Sequence, residues 1–405
     1  MILTVGFMKK YMEKKYEFAS PLPARLASNP LTASLSHIYA AAVNTRNFLY
    51  DTVPAMSKSL GRPVISVGGI RAGGVGKTPV AQFIGQYIIE ERGYNAAFLS
   101  RGYGRLSRKP IIVKPYEDAD WELTGDEPCM LHANLPESWL GIGADRTALA
   151  KKLSPLLPEK SVFILDDGFQ RRQARRDLDI VCLSESTFDD RLIPAGYLRE
   201  PTSSLARADI VLVIGSEGRI DKLREVKEIV ERQFKENANI YNNSSDTATN
   251  ANINNNNTGI TADKNAAGKN SYKSGQICAI LLQYPHSWVN GETGEVCHDA
   301  PLKNPVVVCG IARPERFVDM VRSFGMEPSG IYNFRDHHNF KRNDFVFAHD
   351  IYYSGGVVTT EKDFIRLRAK KFVSLRELWY LKVGLRFSDS DSEARVKSKI
   401  NCITL

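Results

Sequence analysis

The segment that most restricts the fold is a short apolar run followed by a glycine-rich stretch and a helical pattern. The run covers residues 64–67, the glycine-rich stretch begins at Gly68 and ends in Lys77-Thr78, and the helical pattern covers 78–92. A strand, a tight glycine turn and a helix N-terminus direct backbone N–H groups and a partial positive charge towards a bound anion. This order predicts a parallel α/β sheet with a cradle for nucleotide phosphates.

Six consecutive residues are the candidate nucleotide-binding loop: Gly73, Gly74, Val75, Gly76, Lys77 and Thr78. The glycines allow the backbone to approach the phosphates closely, Lys77 would act on the β- and γ-phosphates as a catalytic residue, and the Thr78 hydroxyl would complete a Mg²⁺ shell. The first glycine of the usual phosphate-loop pattern is replaced by Arg71. A glycine turn that binds nothing is the alternative, and Lys-Thr at the helix start favours the phosphate site.

Short β-branched runs alternate with helical patterns, which is typical of a mostly parallel sheet flanked by helices. Strands are predicted at 63–67, 96–100, 161–165, 179–183, 209–214, 306–309 and 357–360, and helices at 78–92, 146–153, 221–236 and 314–324. We predict three parts: an N-terminal segment at 1–50, a P-loop nucleotide-binding domain at 51–205, and a second, smaller α/β domain at 206–405.

Asparagine dominates one stretch of the C-terminal half. Residues 237–257 contain ten asparagines in 21 residues, and polar sequence continues to about residue 275. Such a stretch has too little apolar surface to offset the entropy lost on ordering, so 237–275 is predicted to be a disordered insertion. A polar loop without a function of its own is the simplest interpretation.

An amphipathic helix is predicted within residues 24–50. Apolar residues recur there at helical spacing, with basic residues between them: Leu26, Leu31, Leu35, Ile38, Tyr39 and Ala42, with Arg25, His37 and Arg46. Such a helix either docks on the protein's own core or lies in a membrane interface. The sequence leaves both possibilities open.

Composition excludes several classes of protein. A chain of 405 residues that is 43% hydrophobic is long enough for two or three packed domains. Its six cysteines include no C-x-x-C pair, so neither a disulfide framework nor a zinc site is indicated. We expect neither a signal peptide nor a membrane-spanning helix. The net charge of +8 fits an anionic membrane or a phosphorylated substrate, and with no recognised RNA- or DNA-binding module we expect no nucleic-acid partner.

A second apolar run ends in two carboxylates. Residues 162–165 are followed by Asp166-Asp167-Gly168. P-loop proteins place a Mg²⁺-binding acid at the end of such a strand. Asp-Asp-Gly alone is more often a turn, but together with the Lys-Thr loop it predicts that Asp166 and Thr78 hold a metal.

Two other P-loop classes are not supported. A partition-type ATPase has a signature lysine five residues before the loop lysine, where this chain has Ala72. A GTPase reads guanine with [NT]-K-x-D, and in the nearest run, Thr360-Glu-Lys-Asp363, the lysine comes one place too late. A nucleotide-dependent switch or assembly ATPase remains the alternative from a different functional class.

Eight motifs occur in an order and at spacings that resemble one family. They are Ser100-Arg-Gly-Tyr-Gly-Arg105, Gly125-Asp-Glu-Pro128, Ala144-Asp-Arg146, Asp166-Asp-Gly-Phe-Gln170, Pro194-Ala-Gly-Tyr-Leu-Arg-Glu-Pro201, Gly310-Ile-Ala-Arg-Pro-Glu-Arg-Phe317, Asp336-His-His-Asn-Phe340 and Thr359-Thr-Glu-Lys-Asp363. With the phosphate loop, they resemble the tetraacyldisaccharide 4′-kinases, the P-loop kinases of lipid A biosynthesis. The resemblance extends from about residue 24 to about residue 370.

The resemblance implies a function that composition cannot show. It implies that ATP, with Mg²⁺, phosphorylates the 4′-hydroxyl of a tetraacylated glucosamine disaccharide 1-phosphate to form lipid IVA for lipopolysaccharide. It also implies a peripheral protein at the cytoplasmic face of the bacterial inner membrane, with the active site between two α/β/α domains. We predict no protein partner.

The resemblance also suggests roles for individual residues. Asp126 would accept the proton of the attacking hydroxyl with His337, although Gly-Asp-Glu-Pro alone more often marks a helix start with Asp126 as N-cap. Of the adjacent His337 and His338, we expect only one to face the cleft, and the resemblance selects His337. Further candidates are Arg146 and Arg199 for gripping phosphate, and Glu127 and Gln170 for the metal. The basic run at 171–176 is predicted to be a solvated or headgroup-facing patch.

Overall fold

The computed structural model describes residues 29–253, 275–344, 355–370 and 374–404. Within these residues, thirteen strands form one sheet. In chain order they are β1 (Val64–Gly68), β2 (Asn95–Ser100), β3 (Ile111–Val113), β4 (Trp139–Ile142), β5 (Ser161–Asp166), β6 (Leu178–Ser184), β7 (Ile210–Gly215), β8 (Ile277–Asn290), β9 (Val296–Cys297), β10 (Val306–Cys309), β11 (Gly330–Asn333), β12 (Val357–Thr360) and β13 (Leu378–Phe387).

Helices follow most of these strands. They are α1 (Pro30–Thr52), α2 (Lys77–Glu90), α3 (Trp121–Thr124), α4 (Asp126–Asn134), α5 (Arg146–Leu153), α6 (Ile220–Ile253), α7 (Pro314–Ser323), α8 (Glu361–Leu367) and α9 (Ser390–Asn401). Short 3₁₀ turns lie at Pro54–Met56, Thr202–Arg207, Glu217–Arg219 and Arg342–Asp344.

The strand order is β11-β10-β12-β13-β8-β7-β6-β1-β5-β2-β4-β3, with β9 paired to β8. The pairs are parallel except β3 with β4, β13 with β8, and β8 with β9. The α/β fold class with a mostly parallel sheet, predicted from the sequence, is confirmed. Because loops at the carboxyl ends of neighbouring parallel strands meet at one edge of the sheet, this topology places the ends of β1 and β5 side by side.

Strand β8 joins the two parts of the sheet. Its first residues pair in parallel with β7, and its later residues pair antiparallel with β13. We predicted a domain boundary between residues 205 and 206, but the sheet is continuous there because β7 pairs with β6. The division into two domains remains a prediction, and the strand after residue 205 belongs to the same run of parallel strands as β1.

Both faces of the sheet are covered. Neighbouring residues of a strand point to opposite sides, and consecutive residues of β1 are all buried. In β1, Ile65 packs in a cluster with Ile84 of α2 and Ile400 of α9, whereas Val64 packs on the other face with Leu149 of α5. A separate apolar cluster that includes Trp288 lies beneath β10 and α7. Burying each such side chain stabilises the fold by roughly 1.5–3 kcal/mol.

Helix α6 corrects one expectation. It continues to Ile253, so residues 237–253, which we predicted to be disordered, have a helical backbone. An established helix gains one hydrogen bond for each further residue that it orders, whereas a new helix must order about three residues to form its first hydrogen bond. Extending α6 therefore costs less conformational entropy per hydrogen bond than starting a separate helix. Residues 254–274, the rest of the predicted insertion, lie outside the described residues.

Helix α1 lies within the segment predicted to be amphipathic. Asn29 caps it, with its side chain accepting a hydrogen bond from the Leu31 N–H. Val43 and Asn47 are buried against the protein, while Leu31 and Ile38 are 65% and 68% exposed. Residues 24–28 lie outside the described residues, and no helix among those described is both long and apolar enough to cross a membrane.

Candidate active site

The glycine-rich loop connects the end of β1 to the start of α2. Gly73 and Gly76 have φ angles of 89° and 81°, which favour glycine because a side chain strains this left-handed backbone. A Cβ at Gly76 would also lie 3.3 Å from side-chain atoms of Ile214 and Gln283. Lys77 is the first helical residue and Thr78 the second, so both side chains lie at the positive end of α2.

Asp167 pairs with two cations beside this loop. Its Oδ1 lies 2.8 Å from Lys77 Nζ. The Arg199 guanidinium donates to both carboxylate oxygens, at 2.8 and 2.7 Å. Burial alone would raise the pKa of Asp167, but the hydrogen bonds and charges of Arg199 and Lys77 outweigh it and hold that pKa well below its ordinary value. Asp167 also has a φ of 52°, a strained conformation often found at functional sites.

Asp166 lies at the end of β5 and faces Thr78. The Thr78 hydroxyl is 3.5 Å from its Oδ1, and the Ser100 hydroxyl is 3.1 Å from its Oδ2. Burial, followed by the negative charges of Glu127 and Asp167, raises the pKa of Asp166 to about 7. Crowded carboxylates of this kind are stabilised by a nearby cation.

The oxygen groups around Asp166 fit Mg²⁺. Carboxylates, a hydroxyl and an amide carbonyl are hard ligands, and the Gln170 Oε1 is buried with no hydrogen-bond partner. The other end of that amide donates to the Gly69 carbonyl and to Glu200, both at 3.0 Å. Within the described part of the chain, no three His, Cys, Asp or Glu side chains form a metal cluster by themselves. Mg²⁺ typically binds one or two carboxylates together with substrate phosphates.

A carboxylate–histidine pair lies across the cleft. His337 Nδ1 is 3.0 and 2.9 Å from the two carboxylate oxygens of Asp126. Asp126 is the first residue of α4, with Gly125 as the N-cap, so Asp126 is not itself the cap. His338 hydrogen-bonds Asp344 instead, at 2.8 Å. His337 is thus the histidine that faces Asp126.

Asp126 is buried among positive charges. Arg366 of α8 donates to its Oδ2 at 2.9 Å, and the Glu127 backbone N–H donates to its Oδ1 at 2.8 Å. Burial alone would raise the pKa of Asp126, but the His337 hydrogen bond and the charges of Lys362 and Arg366 outweigh it and lower that pKa. The carboxylate is therefore ionised at neutral pH and available as a hydrogen-bond acceptor.

One cavity of about 1170 Å³ contains all of the predicted site residues. The phosphate loop, Asp166 and Gln170 line it from one side, and Asp126, Glu127 and His337 line another part of it. Apolar side chains of α2 and β13, including Phe83 and Leu381, also contribute to its wall. A cavity of this size, with several charged groups pointing into it, is typical of a binding site for a small molecule.

Comparisons with known proteins show which family the chain belongs to. A family model described as tetraacyldisaccharide-1-P 4′-kinase matches residues 29–401. The chain belongs to this family. A tetraacyldisaccharide 4′-kinase of Koribacter versatilis is 30% identical over 377 residues, covering 90% of this chain and 95% of the relative. One from Aquifex aeolicus is 40% identical over 184 residues, covering 44% of this chain and 56% of the relative.

A solved structure gives the same fold. The crystal structure of LpxK from Aquifex aeolicus, titled an "apo" form in complex with ATP, aligns with a TM-score of 0.65 and 24% identity. The alignment covers 92% of this chain and 98% of the crystallised chain. This match supports the fold, and the family model confirms the family resemblance found in the motifs.

Arg146 lines the cavity of this family member together with six other arginines. The six are Arg46, Arg101, Arg171, Arg199, Arg313 and Arg316. Burial, followed by the charge of Arg171, lowers the pKa of Arg146 to about 10. Sequence reasoning missed Arg101, although it lies within the Ser-Arg-Gly-Tyr-Gly-Arg motif.

We predicted a solvated or headgroup-facing patch at 171–176, and only part of the run fits this: Arg175 is exposed, but two other arginines are paired and shielded. Arg172 is buried and donates to Asp51 at 2.5 Å, and Arg176 pairs with Asp179 at 3.0 Å. Arg171 lines the cavity. The prediction was wrong for Arg172 and Arg176 because guanidinium groups can be buried where carboxylates pair with them. Asp179 is three residues from Arg176, whereas Asp51 is 121 residues from Arg172.

Three further residues of the site were missed. The sequence indicates no role for Lys362 and Arg366, and none for Asp167 beyond its place beside Asp166. Lys362 belongs to the Thr-Thr-Glu-Lys-Asp motif, and Arg366 lies four residues after it on the same face of α8. Helical spacing could have linked these two cations, but nothing in the sequence shows that they reach Asp126 and His337.

Proposed function

We propose that this protein transfers the γ-phosphoryl group of ATP to the 4′-hydroxyl of a tetraacylated glucosamine disaccharide 1-phosphate. The supporting observation is that the Asp126–His337 pair and the Lys77–Thr78 loop line one cavity. Such a cavity can hold a triphosphate at the loop and an alcohol at the carboxylate, the two reactants of a phosphoryl transfer. The family name supplies the identity of the acceptor.

The phosphate side of the reaction relies on the loop and two cations. Backbone N–H groups of Gly74 to Thr78 surround the β- and γ-phosphates at the start of α2. Lys77 and Arg199, which pair with Asp167 in this structure, turn to the phosphate oxygens and neutralise charge as it develops. Thr78 and Asp166, with Glu127 and Gln170 nearby, would hold a Mg²⁺ ion, which would supply further charge neutralisation.

The acceptor side relies on Asp126. The 4′-oxygen forms a bond to the γ-phosphorus, the bond from that phosphorus to the bridging oxygen breaks, and ADP leaves with the electron pair. The hydroxyl proton passes to the Asp126 carboxylate. Three donors already orient this carboxylate, namely His337, Arg366 and the Glu127 N–H, and a carboxylate has about four acceptor positions. One position is left for the substrate hydroxyl.

We also propose that α1 rests on the cytoplasmic face of the inner membrane. Leu31, Leu35 and Ile38 form an exposed apolar row on the outer side of this helix. On its inner side, Tyr39 and Arg46 line the active-site cavity. With one face of the helix in the lipid and the other at the cavity, the acyl chains of a substrate can stay in the membrane while its sugar enters the cavity.

An acceptor assay tests the reaction. The purified protein is incubated with γ-labelled ATP, Mg²⁺ and the tetraacyl disaccharide 1-phosphate, and labelled lipid is separated from nucleotide. We expect label on the acceptor, none on a 4′-deoxy acceptor, and none with Lys77→Ala. Hydrolysis of ATP without label on any acceptor would instead support a nucleotide-driven switch and refute the kinase.

A further inference from the structure

Helix α8 brings two cations to the carboxylate–histidine pair. Arg366, 1% exposed, contacts Asp126, as described above. Lys362 extends its ammonium group to three acceptors: His337 Nε2 at 3.2 Å, Glu127 Oε1 at 3.0 Å and Asp336 Oδ1 at 3.1 Å. The Lys362 side chain is only 15% exposed, so these contacts are well shielded from water.

The contact with His337 determines where the imidazole carries its proton. An ammonium group donates hydrogen bonds and accepts none. His337 Nε2 must therefore accept from Lys362, which requires that this nitrogen has no proton. The proton then lies on Nδ1, which faces Asp126 and donates to it. The lysine on one side and the carboxylate on the other thus set the tautomer of His337.

We propose that Lys362 is a positioning residue of the transfer reaction, because it holds His337 in the Nδ1–H tautomer that orients Asp126 towards the acceptor hydroxyl. This inference rests on the proposed function. In the other tautomer, Nδ1 would be an acceptor facing a carboxylate, and the two lone pairs would repel each other. Asp126 would then lose one of its three orienting donors, and His337 would turn away from the cleft.

The alternative role of Lys362 is purely structural. By pairing with Glu127 and Asp336, it joins α4 to the loop after β11, and losing it could simply loosen the cleft. The two roles predict different results. A structural role predicts weaker binding of both substrates and lower stability, whereas a positioning role predicts a changed tautomer and a slower reaction from bound substrates.

The test compares Lys362→Met, Lys362→Arg and a control, Lys370→Met. Methionine fills similar volume but cannot donate, whereas arginine keeps both charge and donors. Lys370 follows α8. Its ammonium group lies 5.1 Å from the centre of the Trp121 ring and 3.9 Å from Glu122 Oε1. Each variant is labelled with ¹⁵N-histidine. Two-bond ¹H–¹⁵N correlations in NMR spectra report which ring nitrogen carries the proton. The His337 signals are identified by their absence from His337→Gln.

We expect the Nδ1–H tautomer, with no proton on Nε2, in the wild type, in Lys362→Arg and in the control. In Lys362→Met we expect a proton on Nε2, because this nitrogen no longer accepts from an ammonium group and still lies 3.8 Å from Asp336 Oδ2. We expect kcat to fall roughly a hundredfold in Lys362→Met, with KM for ATP and acceptor within about twofold of wild type, because misplacing a reacting group by about an ångström has a cost of this order. Lys362→Arg should recover most of that loss.

Two results separate the inference from the proposed function. An active wild type whose Lys362→Met variant keeps Nε2 free of a proton, or keeps its kcat, overturns the inference alone. A wild type that phosphorylates no acceptor overturns the proposed function, and the positioning role of Lys362 falls with it. The tautomer measurement needs no turnover, so it can be read even in a variant whose activity is lost.

Discussion

His337 Nδ1 lies 2.9 Å from the Asp126 Oδ2, although 211 residues separate the two in the chain. Asp126 begins α4, and His337 follows β11 at the far edge of the sheet. The pair therefore depends on how the loop after β11 packs against the start of α4. Arg366 and Lys362 of α8 add further contacts from the same side as His337.

Asp126→Asn tests the proton acceptor. The amide keeps the shape of the side chain but cannot take a proton, so kcat should fall by about 10²- to 10⁴-fold while the Kd for ATP stays close to that of the wild type. Steady-state kinetics with labelled ATP, together with ATP binding by calorimetry, measure both quantities.

A folding control accompanies this variant, because Arg366 would face an amide instead of a carboxylate. Thermal unfolding of Asp126→Asn and of wild type should be compared under the same conditions. A folded variant with near-wild-type turnover would show that another group accepts the proton.

Much of the site could be predicted from local sequence. The loop from Gly73 to Thr78 and the acid at the end of β5 are continuous segments, and strand parallelism brings them together. The resemblance associates His337 with Asp126, but local sequence could not predict the contacts of Asp126 with His337 and Arg366. These contacts depend on how the loop after β11 and α8 pack against α4. The burial of Arg172 was missed for the same reason: its partner Asp51 is 121 residues away.

Glu200→Ala should be strongly destabilising. Glu200 is completely buried and accepts from Arg207 at 2.6 Å, from Asn47 at 2.9 Å and from Gln170 at 3.0 Å. Removing it leaves the Arg207 guanidinium buried without a countercharge, at a cost of about 3–5 kcal/mol in the free energy of unfolding. Urea denaturation measures the difference.

The matched control is Glu217→Ala. Glu217 pairs with Arg386 at 2.8 Å, but both side chains are more than half exposed. Water screens this pair, so its loss should change the free energy of unfolding by at most about 1 kcal/mol. Equal effects of the two substitutions would contradict the conclusion that Glu200 stabilises the fold through its buried contacts with Asn47, Gln170 and Arg207.

Glu361→Gln should stabilise the protein at neutral pH. Burial raises the pKa of Glu361, more than the charge of Lys382 and the hydrogen bond from Asn134 lower it. The folded chain therefore holds this proton more tightly than the unfolded chain. The resulting stability is fully present below the ordinary pKa of a glutamate and is lost as pH rises through the raised value.

Glutamine keeps the acceptor for Asn134 and has no charge to bury. The gain in the free energy of unfolding of Glu361→Gln over the wild type should therefore be near zero at about pH 4, where an unperturbed glutamate begins to protonate. This gain should grow towards pH 8. Thermal midpoints across this range measure it, with Glu225→Gln on the exposed face of α6 as control. A constant difference at all pH values would show that the effect is not electrostatic.

Ile38→Glu should weaken binding to anionic vesicles. Ile38 is 68% exposed in the same row as Leu31 and Leu35, so a charge there would have to enter the lipid interface. Asn44→Glu adds the same charge to another exposed position of α1, outside this row, and should bind vesicles more tightly than Ile38→Glu. Sedimentation with vesicles of phosphatidylethanolamine and phosphatidylglycerol measures the bound fraction. If both variants bind as well as the wild type, α1 does not form the contact with the membrane, and its apolar row must have another partner.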